Sequence, residues 1–172
     1  MLRKYNYGLA IMRLQPLHFG HTKLIYKMCD ECNNVVIAIG SAQESRTYGN
    51  PFTYREREQM FKAFPWKRFV MVMPIKDIFN LSKWADYALG VVEKKIKNKV
   101  NAYYCGAFED GNLFVGRVPK IVIHDRHDGS HKDMSASKIR QMILNGDDEW
   151  RKFVPAMNHA MVKRVYKSRG EG

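Results

Sequence analysis

The chain has 172 residues, 45% of them hydrophobic, which is enough to fill one core of ordinary size and too few for two. Lys and Arg number 29 against 17 acidic residues, a formal net charge of +12, which points to anionic partners such as phosphates, nucleotides or nucleic acid and fits a solvated basic surface equally well. No apolar run approaches membrane-spanning length and the opening MLRKYNYG lacks the apolar stretch of a signal peptide, so a soluble, cytoplasmic protein is expected.

In chain order, residues 5–12 (YNYGLAIM) and 34–40 read as short buried strands separated by an amphipathic segment over 20–32, a βαβ unit. That segment carries Cys29 and Cys32 as CxxC, but the second half of a four-ligand zinc site is missing and the surrounding KLIYKMCDEC has helical periodicity. Structural thiols in a reducing compartment are the expectation. TYRE, Thr53 to Glu56, has the spacing of a capping box and opens a helix to about Phe64. RFVMVMPI (68–75) is a third strand, 81–97 a third helix carrying Trp84 and Tyr87, and 99–105 and 119–124 a fourth and fifth strand. SASKIRQMILNG is a capped helix ending at Gly146, and 149–168 reads as one or two helices packed outside the sheet.

Strands alternating with helices predict a Rossmann-like, doubly wound α/β sheet of about five parallel strands with helices on both faces and a C-terminal helical extension over 149–172. Right-handed crossovers bring the loops after the strands to one edge, where such folds bind ligands. His18, Gly20 and His21 fall in the turn from the first strand into the first helix, at that edge. Helix-terminal N–H groups there suit an anion, Gly20 leaves room for phosphate to approach the backbone, and two imidazoles add donors. In MSASKIRQM, Ser135 falls at the N-terminus of the helix after the fifth strand and Arg140 extends from its second turn, so that both can face the same edge. Taken singly, a serine there is a helix cap and an arginine a solvated charge; the coincidence of both with HxGH points to phosphate chemistry.

This combination resembles the signature of the nucleotidyltransferase superfamily that carries HxGH and (I/L)S(S/A)T-type motifs. RLQPLHFGH, GSAQESRTYGNPFTYRERE, KDIFNLSKW and MSASKIR stand in the order and at the approximate spacing of nicotinamide mononucleotide adenylyltransferases. The archaeal enzymes and the adenylyltransferase half of the bacterial Nudix-fused enzymes look most similar, and the resemblance runs from Tyr7 to about Pro155. Met12 stands where the family usually has glycine, Ser137 where it has threonine, and CGAFEDGN, with Asp110 and Asn112, matches only loosely.

The resemblance implies a single nucleotidyltransferase domain over 1–172 that transfers AMP from ATP to nicotinamide mononucleotide, giving NAD and pyrophosphate. It implies that Arg13, His18, His21 and Arg140 clamp phosphates at the reacting centre, that Gly20, Ser135, Ser137 and Arg46 hold ATP, and that Trp84, Asp77, Asn80 and Phe52 hold the mononucleotide. For Trp84 a core anchor of the third helix is the other reading. Mg²⁺ would arrive with ATP, held by substrate phosphates and water, since no acidic cage stands out. Family members are often homo-oligomers, which makes self-association the expectation. Phosphopantetheine adenylyltransferase or a cytidylyltransferase is the alternative within the superfamily, and KDIFNLSKW argues against it. A basic nucleic-acid-binding module is the alternative from another class, but no RNP-type, zinc-finger or basic-helix signature is present. HDRHDGSHKD, His124 to Asp133, gathers three histidines and three aspartates in a spacing that fits no closed metal site and reads as a polar loop.

Overall fold

A computed structural model describes residues 2–124 and 135–170, with the side chains of the last two of these undescribed; most of the His/Asp-rich loop, from Asp125 to Asp133, lies outside them, as does Met134. The first βαβ unit consists of β1 (Tyr5–Met12), α1 (Phe19–Glu31) and β2 (Cys32–Ile39). After it come α2 (Tyr54–Ala63), β3 (Met71–Pro74), α3 (Leu81–Ile96), β4 (Ala102–Cys105), α4 (Phe108–Asn112), β5 (Lys120–Ile123) and α5 (Ala136–Leu144). Two 3₁₀ turns, Asp148–Lys152 and Ala156–Asn158, lead into α6 (His159–Gly170). All pairings in the five-stranded sheet are parallel, in the order β3-β2-β1-β4-β5. No helix of the described residues is long and apolar enough to cross a membrane.

The period-2 alternation of the strands divides their side chains between two cores. Ala10, Ile37, Ile39 and Tyr104 point into one with Leu24, Ile25 and Met28 of α1, Met60 and Phe61 of α2, Ile139 of α5 and Val162 of α6. Leu9, Val36, Ala38 and Tyr103 point into the other with Ala85, Ala88, Leu89 and Val92 of α3. Strands buried on both faces are why β1 and β2 read as continuous apolar runs rather than as alternation. The three cysteines are free and buried. Cys32 donates to the Tyr104 hydroxyl at 3.3 Å, which donates to Glu31 at 2.8 Å, and burial pushes the Cys29 and Cys32 thiols above their usual range, as structural thiols require.

The capping box over Thr53–Glu56 is present, with the Glu56 N–H donating to Thr53 Oγ1 at 3.2 Å and the Thr53 N–H to Glu56 Oε2 at 2.8 Å. Ser135 caps α5, which ends just before Gly146 at φ +71°. The structure departs from expectation at the margins. β3 is confined to Met71–Pro74, and the C-terminal segment opens as 3₁₀ turns rather than a continuous helix, broken at Pro155, which has no N–H to give. The five-residue α4 was not foreseen; it has no side-chain cap and is too short to show a period.

Candidate active site

Strand order reverses between β1 and β4, and at their carboxyl ends the molecule opens into a cleft of about 510 Å³. The N-termini of α1 and α5 meet over it. Arg13, Lys23, His18, His21 and Arg140 line this cleft, and Asp110 is the one acidic side chain among its described lining residues. The cleft is therefore built for negative charge.

His18 and His21 form a reciprocal cap on α1. The Gly20 N–H donates to His18 Nδ1 at 3.1 Å, the His18 N–H donates to His21 Nδ1 at 3.3 Å, and the rings lie 3.8 Å apart between centroids. This is the capping-box pattern written in imidazoles instead of hydroxyl and carboxylate. Its chemical consequence is a fixed tautomer. Because each Nδ1 accepts a backbone N–H, the proton of each neutral ring sits on Nε2, leaving two preset N–H donors at a helix N-terminus on the cleft. Gly20 acts one step away from its expected role: a Cβ there would lie 2.9 Å from His18 Cε1, so glycine makes space for the histidine ring, not only for a ligand.

Across the cleft, Arg140 is 4% exposed. Its Nη1 donates to the Gln15 carbonyl at 2.9 Å and its Nη2 to Ser137 Oγ at 3.0 Å, while its Nε is buried without a partner. Tyr48 lies over the guanidinium, 5.9 Å from ring centroid to Cζ, and its hydroxyl donates to Gln141 at 3.0 Å. Gln15, absent from the sequence reading, is the keystone of this side. Its amide donates to the Phe52 carbonyl at 3.0 Å and accepts the Phe52 N–H at 2.9 Å, so the backbone that seats Arg140 is locked to the loop before α2.

Of the twelve residues singled out from sequence, the cleft brings together Arg13, His18, Gly20, His21, Trp84, Ser135, Ser137 and Arg140. Trp84 is half-buried on the first turn of α3 and touches Tyr87 at 5.9 Å between centroids. The other four lie elsewhere. Phe52 is fully buried in the core with its ring 6.1 Å from Tyr166, so its side chain packs rather than faces a ligand. Asn80 caps α3 by accepting the Lys83 N–H at 3.2 Å, and Asp77 accepts the Ser41 N–H at 3.3 Å. Arg46 grips Glu56 through both carboxylate oxygens, at 2.7 and 2.9 Å. Burial pushes the Glu56 carboxyl up, but hydrogen bonds from Arg46 and Thr53 outweigh it and hold it below its usual range.

Among the described residues no three His, Cys, Asp or Glu side chains converge as a metal cage.

The sequence model of the cytidylyltransferase-like family matches residues 13–142. The nicotinamide-nucleotide adenylyltransferase of Thermococcus sibiricus is 33% identical over 166 residues, covering 92% of this chain and 83% of that protein. The nicotinamide/nicotinic acid mononucleotide adenylyltransferase of Acinetobacter baylyi is 30% identical over 148 residues, covering 83% and 78%. In fold, the chain is similar to the bifunctional NMN adenylyltransferase/ADP ribose pyrophosphatase of Francisella tularensis, solved with AMP and a manganese ion, with a TM-score of 0.74 at 24% identity. That match covers 96% of this chain and 52% of the bifunctional protein, so the chain spans about half its length.

Proposed function

Because the chain belongs to the cytidylyltransferase-like family, and within it to the nicotinamide-nucleotide adenylyltransferases, we propose that it transfers the adenylyl group of ATP to nicotinamide mononucleotide, yielding NAD and pyrophosphate. The observation that carries this reading is the convergence of two helix N-termini over the switch point, with Arg13, Arg140, His18 and His21 around a cleft that has a single described carboxylate.

The chemistry needs positioning more than proton transfer. A phosphate oxygen of the mononucleotide, already ionised near neutral pH, bonds to the α-phosphorus of ATP as the bond from that phosphorus to the bridging oxygen breaks, and pyrophosphate leaves. Arg13 and Arg140 offset the charge on the phosphates, and the Nε2–H groups of His18 and His21 donate to the oxygens on which charge builds. The first N–H groups of α1 are taken up by Phe153 and His18, so α1 favours one phosphate face through its dipole and its two imidazoles; Ser135 and Ser137, as cap and as partner of Arg140, order the other. Arg46 would reach a phosphate only by releasing Glu56. Mg²⁺, bound to ATP, would supply further charge neutralisation, held by phosphate oxygens and water. Asp77 and Asn80 would act on the mononucleotide through the loop they shape before α3, and self-association is part of the same proposal.

Trp84 is assigned to the nicotinamide ring. Trp84→Ala is expected to raise KM for the mononucleotide about tenfold, the value of one lost aromatic stack, with KM for ATP near wild type. Initial rates with each substrate varied in turn decide this, with nicotinic acid mononucleotide as a second acceptor. A variant that unfolds while its folded fraction keeps both KM values returns Trp84 to the role of a core anchor.

A further inference from the structure

A second arginine lies beneath the cleft without lining it. Arg57, in the first turn of α2, is 0% exposed and takes part in no ion pair among the described residues. Carbonyl oxygens hold it instead. Its Nη1 donates to Arg13 at 2.9 Å and Gly40 at 2.7 Å, its Nη2 to Ser41 at 3.0 Å, and its Nε to Thr53 at 3.3 Å. These acceptors come from three separate segments: the residue after β1, the two residues after β2, and the cap of α2.

Two of those segments are strained. Leu14, directly after Arg13, has φ +52°, and Ser41, directly after Gly40, has φ +48°. Non-glycine residues in the left-handed region cost about 1–3 kcal/mol each and persist only where their surroundings over-determine them. Arg57 supplies that constraint by binding the carbonyl on the N-terminal side of each strained residue and that of Ser41 itself. A buried cation is expensive: burial brings Arg57 down to about 10, with the negative charge of Asp77 opposing the fall. An apolar side chain would fill the same volume without that expense, but it could not gather three chain segments. Two of the segments it gathers are the carboxyl end of β1, from which Arg13 enters the cleft, and that of its neighbour β2.

We propose that Arg57 is a positioning residue for adenylyl transfer, whose guanidinium clamps the strained ends of β1 and β2 so that Arg13 and the β1–α1 turn present phosphate donors in fixed geometry. The inference rests on the adenylyltransferase reading of the cleft. Arg57 lies in the GSAQESRTYGNPFTYRERE stretch but outside the HxGH and α5 motifs, and in TYRERE it reads as one more charge on an amphipathic helix.

The test compares wild type with Arg57→Lys in the full chain. Lysine keeps the charge but cannot span four carbonyls in a fixed fork. The expected result is a folded protein with kcat lowered about 10²-fold and KM for ATP raised more than KM for the mononucleotide, because displacement of the phosphate donors by about 1 Å is enough for such a loss. Should the single variant fail to fold at the assay temperature, Ser41→Gly in the same chain relieves one strained turn, and the same split of kcat and KM is read against Ser41→Gly alone. A folded variant with kcat and both KM values within twofold of its reference overturns the proposal. The thermal shift produced by ATP separates this outcome from failure of the functional reading. If wild type makes no NAD, that reading falls, and the clamp is then judged by whether ATP raises the melting temperature of wild type and not of Arg57→Lys; equal shifts overturn it.

Discussion

His21→Gln and His18→Asn are expected to lower kcat by on the order of 10²-fold or more while leaving stability close to wild type, within the range of single electrostatic donors at a reacting centre. The choice of replacements follows from the reciprocal cap. Asparagine is among the best N-cap residues, and glutamine at the third helical position can reach back to the cap backbone, so both variants keep the α1 start that the imidazoles now provide. What they change is the donor itself: a carboxamide NH2 replaces the imidazole Nε2–H and no longer lies where the ring held it. Alanine at either position removes both functions and should cost a further ~1 kcal/mol of stability. Thermal melts beside steady-state rates separate the two effects. If His21→Ala, assayed below its melting temperature, retains nearly full activity, the histidine pair serves α1 alone.

Arg140→Met is expected to lower kcat/KM for ATP by about 10²-fold or more, and Arg140→Lys is expected to recover little of it. The guanidinium is locked between the Gln15 carbonyl and Ser137, and a lysine ammonium cannot reproduce that planar fork. Methionine fills the space but leaves the Gln15 carbonyl without its donor, a loss of about 1–3 kcal/mol, partly offset because a buried cation is no longer desolvated. A melting temperature lowered by a few degrees with a much larger loss in ATP use is the predicted pattern. Equal proportional losses for ATP and the mononucleotide would instead mean that Arg140 holds the cleft together without touching triphosphate.

Much of this architecture is legible in the chain because parallel strands buried on both faces leave runs such as YNYGLAIM, and because helix starts carry their own chemistry in Thr53, Glu56 and Ser135. The side chains aimed at the cleft are legible for a related reason: His18, His21 and Ser135 sit at helix N-termini, and Arg140 one turn further along α5, in helices whose place in the topology follows from the βα alternation. Gln15 and Arg57 are not, since their partners are backbone carbonyls and amides, which leave no mark in sequence. Phe52 shows the converse. Its neighbours in the chain belong to the loop before α2, but Gln15 pins its backbone and its ring turns into the core. The resemblance implies mononucleotide contacts for Asn80 and Asp77, and the structure employs both to shape the loop itself.

On this reading the cleft joins the α-phosphate of ATP to the phosphate of nicotinamide mononucleotide. This transfer is tested most directly by following ATP labelled at the α-phosphorus in the presence of Mg²⁺ and the mononucleotide. The expected result is label appearing in NAD, one molecule for each pyrophosphate released, and none in pyrophosphate. Folded, ATP-binding protein that leaves the label in ATP, or releases it as free AMP with no NAD formed, would contradict it.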